Sequence, residues 1–275
     1  MINIETILYS LRNLWQRKGR SALTVFSILV GIATIFIFIS FGMGLYHYTD
    51  ELASGSSADK ILVQPASATG SVSIDDTFKL TDEDVDAVEK SAGVYEASGV
   101  YVKSAEIEFR NEKEYALIVG YDPKKPMVMD LTGVDILSGR MLEQGDSNHV
   151  LLGYNYQFPD KIFSNAIELN DNLEINGVKM KVVGFLNVVG NPDDDKNIYV
   201  VNDYINTLYP DTNNSYGWIV GRVDTTDIDK VVENVKKKLR KERNLEEGKE
   251  DFYVQSFNDM IESFSSVLNI IVGFI

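Results

Sequence analysis

The sequence predicts an α+β protein tethered to a membrane by an N-terminal helix, and three observations predict it. The run from Ser21 to Tyr46 carries no charged residue. Basic residues precede that run and acidic residues follow it. Beyond it, two segments of mixed strand and helix periodicity bracket a middle stretch rich in short strands.

The chain has 275 residues, of which 44% are apolar, enough for a packed core outside any membrane segment. The net charge of −15 is unevenly spread, because Arg12, Arg17, Lys18 and Arg20 stand against Glu5 alone in Met1–Arg20 and the rest is strongly acidic. An acidic body repels phosphate backbones, so no nucleic-acid partner is expected. The absence of cysteine excludes disulfides, thiolate metal sites and cysteine nucleophiles.

Taken in order, residues 1–20 predict an amphipathic helix at the cytoplasmic interface. Ile4, Ile7, Leu8, Leu11, Leu14 and Trp15 recur at helical spacing. Such a helix lies in the bilayer surface with Arg12, Trp15, Arg17, Lys18 and Arg20 at headgroup level; the alternative is a helix packed on protein. Residues 21–46 predict a transmembrane helix, since about 20 apolar residues already cross the hydrocarbon layer. A cleaved signal peptide is the rival reading, but its apolar run is shorter, about 7–15 residues. Arg17, Lys18 and Arg20 lie before the run, and Asp50 and Glu51 after it. Basic flanks stay cytoplasmic, which puts the N-terminus inside a plasma membrane and the main domain outside. Ser27, Gly31 and Thr34 share one helical face, and Ser40 with Gly44 repeats the small-residue spacing, so another helix is expected to pack there.

Residues 47–262 predict the extracytoplasmic domain. Small polar stretches at Ser54–Ser57 and Ala66–Ser73 read as loops, and Lys60–Gln64 as a strand. Thr81-Asp82-Glu83-Asp84 has capping-box spacing and opens a helix with Val85 and Val88 inward. Ala105, Ile107 and Phe109 alternate with charged residues, and Tyr115, Leu117 and Val119 continue the pattern after a turn placed at Asn111-Glu112. A β-rich lobe is expected over about 127–210, with buried strands at Val150–Leu152 and Ile198–Val201. Asn176-Gly177 between two apolar runs signals a two-residue hairpin. The last part reads as strand Tyr216–Val223, a helix carrying Ile228, Val231, Val232, Val235 and Leu239 inward, and strand Phe252–Val254. The two bracketing pieces are expected to share one sheet. Ser256-Phe257-Asn258-Asp259 again has capping-box spacing and starts a helix. Residues 263–275 then read as the start of a second transmembrane helix within which the sequence stops, roughly ten residues being too few to span a bilayer. A tail packed on the domain is the alternative.

No catalytic, cofactor or metal constellation emerges, so no enzyme is expected. His47 and His149 are far apart in sequence and lack ligand-like neighbours. Asp193-Asp194-Asp195 follows Pro192 without the spacing of a calcium loop. Gly248-Lys249 lacks the preceding glycine of a phosphate-binding loop, and Glu250 stands where Ser or Thr is needed. Lys236–Lys238 reads as a solvated helix face, and Asn213-Asn214-Ser215 as a chance glycosylation sequon.

Several segments resemble a known family, the ABC transporter permeases of the MacB/FtsX type. They are Tyr9-Ser10-Leu11-Arg12-Asn13-Leu14, Arg17-Lys18-Gly19-Arg20-Ser21-Ala22-Leu23-Thr24 and Gly31-Ile32-Ala33, then Leu80-Thr81-Asp82-Glu83-Asp84-Val85. Gly139-Arg140, Val150-Leu151-Leu152-Gly153, Ile175-Asn176-Gly177 and Val182-Val183-Gly184 follow in the order of that family's extracytoplasmic core domain. The resemblance implies a domain of ferredoxin-like βαβ units with a β-rich inserted lobe. It further implies four spans, of which the third, the fourth and most of the second are not in this sequence, nor is the loop that meets the ATPase. The implied partners are an ABC ATPase subunit, which holds the ATP, a second permease copy or homologue, and the lipid bilayer. The implied function is export or release of a lipophilic, peptide or lipoprotein substrate, while some members regulate a cell-wall enzyme instead. The alternative is a membrane-anchored sensory receptor with an extracytoplasmic ligand-binding domain; two further spans beyond Ile275 would favour the permease, a signalling helix or kinase the receptor.

Overall fold

The computed structural model describes residues 18–54, 58–66, 79–210, 215–263 and 266. It forms two compact units, one containing the first helix and the other spanning Leu52–Met260. The first helix, α1, runs Lys18–Ser54. At 1.5 Å per residue it is about 55 Å long, well beyond the hydrocarbon thickness of about 30 Å.

The second unit begins with strand β1 (Lys60–Pro65), helix α2 (Asp82–Glu89) and strand β2 (Val94–Phe109). The capping box at Thr81 is formed, with the Thr81 backbone N–H donating to the Asp84 carboxylate at 2.9 Å. Much later in sequence come β9 (Trp218–Val223), α5 (Ile228–Glu242) and β10 (Phe252–Ser256). These six elements form one antiparallel sheet in the order β10-β1-β9-β2 with both helices on one face. That is the βαββαβ arrangement of the ferredoxin-like fold, and the bracketing segments do share a sheet. Val231, Val232, Val235 and Leu239 of α5 are buried as the stripe predicts, each contributing about 1.5–3 kcal/mol by leaving water. Residues 257–263 are helical, and the second capping box is formed: Asp259 N–H donates to Ser256 Oγ at 3.0 Å and Ser256 N–H to the Asp259 carboxylate at 3.3 Å.

Everything between β2 and β9 is an insertion. It holds β3 (Glu112–Tyr121), α3 (Met127–Thr132), β4 (Ile136–Gly139), β5 (His149–Leu152), β6 (Asn172–Ile175), β7 (Val178–Leu186), β8 (Ile198–Val201) and α4 (Asn202–Leu208). The insertion begins earlier than the expected 127. Val94–Val100 of β2 pair with β9, whereas Tyr101–Phe109 pair with β3 and so belong to the second sheet. The turn after β2 also shifts by one residue. Phe109 pairs with Glu112, so the two-residue loop is Arg110-Asn111, and both take positive φ, 49° and 68°. The Asn176-Gly177 hairpin stands where expected, with φ of 49° and 77° joining β6 to β7, as a two-residue primed turn requires.

Strands β5 and β8 of the second sheet are buried on both faces, which is why they read as continuous apolar runs. Ile198 and Val200 face one core with Ile118, Val150 and Leu152, and α4 covers it through Ile205 and Leu208. Tyr199 and Val201 face the other core with Val119, Tyr121 and Leu151, and α3 covers it through Met127–Met129. This second core also takes in Leu62, Val100 and Val220 from the first sheet, so the two lobes share it.

Candidate functional site: the apolar helix and the two-lobed domain

α1 owes its character to its sequence, since Lys18–Gly44 is long and apolar enough to cross a membrane and none of its most apolar window is buried by protein. Leu23, Phe26, Phe36 and Ile37 stand more than 60% exposed, the reverse of a core helix. Three of its hydroxyls are satisfied within the helix. Thr24 Oγ1 donates to Arg20 O at 3.0 Å, Ser27 Oγ to Leu23 O at 2.9 Å, and Thr34 Oγ1 to Val30 O at 2.8 Å. In hydrocarbon those internal bonds remove the cost of an unpaired hydroxyl. A Cβ added at Gly31 would meet nothing within 4 Å among the described residues, which leave the face with Ser27 and Thr34 open. Lys18 and Arg20 are exposed at the start of the helix. Arg12, Trp15 and Arg17 lie outside the described residues, as do Asn213-Asn214 of the sequon and 267–275 of the second apolar run.

In the second unit, titratable groups serve mainly as ties between elements. Lys60 is 2% exposed, with its Nζ 2.5 Å from Asp59 and 3.8 Å from Asp130 on α3. Arg222 on β9 reaches the same Asp130 at 3.3 Å and Glu96 at 2.6 Å. Asp130 thereby fastens the inserted lobe to two strands of the first sheet. Asp84, also 2% exposed, accepts from Arg243 Nη1 at 2.7 Å, and Arg243 Nη2 reaches Asp251 at 2.9 Å. Sequence alone marked Lys60 as the start of a strand and gave no sign of its burial, nor of Asp130, because their partners are far away along the chain.

Arg140 grips Asp146 with both terminal nitrogens, at 2.6 and 2.9 Å. The Arg140 hydrogen bond holds the Asp146 carboxyl below its usual range, and a backbone bond from Glu143 adds to this. His149 does have a carboxylate neighbour, contrary to the reading from sequence, with Nδ1 3.3 Å from Asp146 Oδ1. Burial pushes the phenols of Tyr121 and Tyr199 up to about 12, and those of Tyr156 and Tyr216 higher still. These shifts move groups away from neutrality, the opposite of what general acid–base work at pH 7 needs. The Asp193–Asp195 loop is stitched to itself: Asp195 accepts from Val189 N–H at 2.7 Å and Asp194 from the Asn191 amide at 2.9 Å. Among the described residues no three His, Asp or Glu side chains gather as a metal site.

A cleft of about 350 Å³ opens between α2 and the carboxyl ends of β3 and β8. Sequence reasoning missed it, because its walls come from segments spread between Val85 and Tyr216.

The MacB-like periplasmic core domain family model matches residues 21–238. An uncharacterized ABC transporter permease of Methanocaldococcus jannaschii is 29% identical over 98% of this chain and 66% of its own length. The macrolide export ATP-binding/permease protein MacB of Neisseria gonorrhoeae is 22% identical over 98% of this chain and 42% of its own. The chain thus spans less than two thirds of the length of these relatives. Among solved structures, the periplasmic region of MacB from Actinobacillus actinomycetemcomitans superimposes with a TM-score of 0.57 at 16% identity, covering 76% of this chain and 93% of that one. The extracellular domain of the noncanonic ABC-type transporter YknZ gives 0.55 at 17% identity, covering 71% and 99%. With 218 consecutive positions inside the family model (21–238), the chain belongs to the MacB-like periplasmic core domain family.

Proposed function

We propose that this chain is the permease subunit, or part of one, of a MacB-type ABC transporter. The observation that carries the reading is the succession within one family match of an unburied membrane-length helix and a two-lobed domain of the family fold. The names of the relatives, all permeases or permease-containing proteins, support it. In this reading ATP sits on a separate ABC ATPase subunit and no cofactor on this chain. ATP-driven closure in the cytoplasm moves the outer domain, which exports or releases a lipophilic, peptide or lipoprotein substrate. Ser27, Gly31 and Thr34 pack against another span of a second permease copy or homologue. Arg12, Trp15, Arg17, Lys18 and Arg20 sit at the inner headgroups of the plasma membrane, and the domain lies outside.

The chain contains no cysteine, so single cysteines report topology cleanly. Lys179→Cys, on the exposed hairpin of the insertion, is expected to react with a membrane-impermeant maleimide in intact spheroplasts. Glu5→Cys is expected to react after permeabilisation and not before. The reversed pattern would overturn the orientation and with it the export reading.

A further inference from the structure

β3 and β8 lie side by side in parallel, with Gly120 opposite Val200 and Tyr121 opposite Val201. From Tyr121 the chain proceeds to α3, which covers one face of the second sheet; from Val201 it enters α4, which covers the other face. Where neighbouring parallel strands send their helices to opposite faces, neither helix closes the space beyond the strand ends, and a crevice remains. Such crevices are the preferred ligand positions in sheets of this kind. Here the crevice is the cleft of about 350 Å³, within the size range of small-molecule sites. The first lobe supplies its remaining wall through α2 and residues 97–99 of β2. Asn202 Nδ2 donates to Gly99 O at 2.9 Å and pins that wall to the start of α4.

The lining is polar and its charges do not balance. Asp86, Glu89, Asp122 and Asp203 face Lys124 and Lys125, but Asp86 is already paired with Lys90 at the end of α2, at 2.6 Å. Lys125 is engaged, its Nζ 2.6 Å from Glu89 and donating to Ala97 O at 2.9 Å, so that it closes the wall between α2 and β2. Asp122 steadies its own loop by accepting from Lys124 N–H at 2.9 Å. With those two pairs set aside, Asp122 and Asp203 stand against Lys124, and a recess walled by protein concentrates the field of the one excess carboxylate.

We infer that this cleft at the strand switch point binds a small organic cation carrying amine or guanidinium groups, with Asp122 and Asp203 as its anchoring carboxylates. The inference goes beyond the transport reading and does not depend on it, since it concerns binding to one domain and not passage across a bilayer.

The test is calorimetric titration of the full chain in a neutral detergent with spermidine, at low ionic strength and again at about 150 mM salt, where free surface charges are screened beyond about 8 Å. Saturable binding at one site is expected in both. Asp122→Asn combined with Asp203→Asn is expected to weaken it by about 100-fold, about tenfold for each carboxylate neutralised. Gln144→Trp, at an exposed lining position, adds bulk without changing charge and is expected to abolish it. Glu246→Gln combined with Glu247→Gln makes the same charge change at exposed positions after α5 and is expected to leave affinity within about twofold. Absence of saturation, equal weakening by the two charge pairs, or full binding by Gln144→Trp would each overturn the assignment. If the double cleft variant loses its fold by circular dichroism, Gln144→Trp decides the matter.

Discussion

The two lobes of the second unit solve the burial problem differently. The first lobe has one sheet and two helices on one face, so its apolar residues fall into regular stripes on α2, α5 and alternating strands. The second lobe buries both faces of β5 and β8 and covers them with helices of six and seven residues. The first depends on periodic patterns, the second on close approaches between segments distant in sequence. Stability in the first lobe is therefore distributed along faces, whereas in the second it is concentrated at a few positions where backbones touch.

The largest expected effect tests that concentration. Gly139 ends β4 with φ of 81°, and a Cβ there would stand 2.2 Å from Val183 O. Gly139→Ala is expected to cost about 4 kcal/mol, from backbone strain and displacement of β4 from β7. Denaturant unfolding followed by far-UV circular dichroism and, in a Trp15→Phe background, by Trp218 fluorescence measures it. Separate transitions by the two probes would mean that the lobes unfold independently; one shared transition would mean that they unfold together through their common core. A shift below about 1 kcal/mol would break the contrast between the lobes.

A smaller effect tests the tie between them. Asp130→Asn keeps the volume and removes the charge shared by Lys60 and Arg222. Asp59 still pairs with Lys60 and Glu96 with Arg222, so the expected loss is about 1–2 kcal/mol. The corresponding fall in melting temperature checks it, and no change would show that the shared apolar core alone joins the lobes.

The smallest effect is a pH dependence in the second lobe. The folded pKa of Asp146 is depressed by Arg140, whereas in the unfolded chain the group returns towards 3.8. Stability from this pair is thus fully present above about pH 4 and disappears as pH falls through the lower folded value. The stability difference between the wild type and Asp146→Asn is expected to shrink as pH falls below about 4. A difference that stays constant down to pH 2 would remove Arg140 as its cause.

Much of the fold was legible where the signal is local. The capping boxes at Thr81 and Ser256, the Asn176-Gly177 hairpin and the α5 stripe each depend on residues within a few positions of one another, and each is present. The same reasoning misplaced the turn after β2, because Arg110 in a left-handed conformation leaves no compositional trace. It missed α3 and α4, which are too short for a helical period to emerge. The cleft was illegible for a deeper reason. It exists because β3 and β8 are parallel neighbours and their helices part, and neither the pairing nor the parting is written in any one segment.

The unbroken run of β2 through both sheets also imposes an order of assembly. Synthesis delivers β1, α2 and β2 first, then the whole insertion, and β9, α5 and β10 last. The far half of β2 finds β3 at once across a two-residue turn, whereas the near half must wait for β9. Non-local pairings of that kind close late. The strand pairings of the insertion are thus positioned to form first and to hold out a strand edge, while the core it shares through Val220 closes only when β9 arrives.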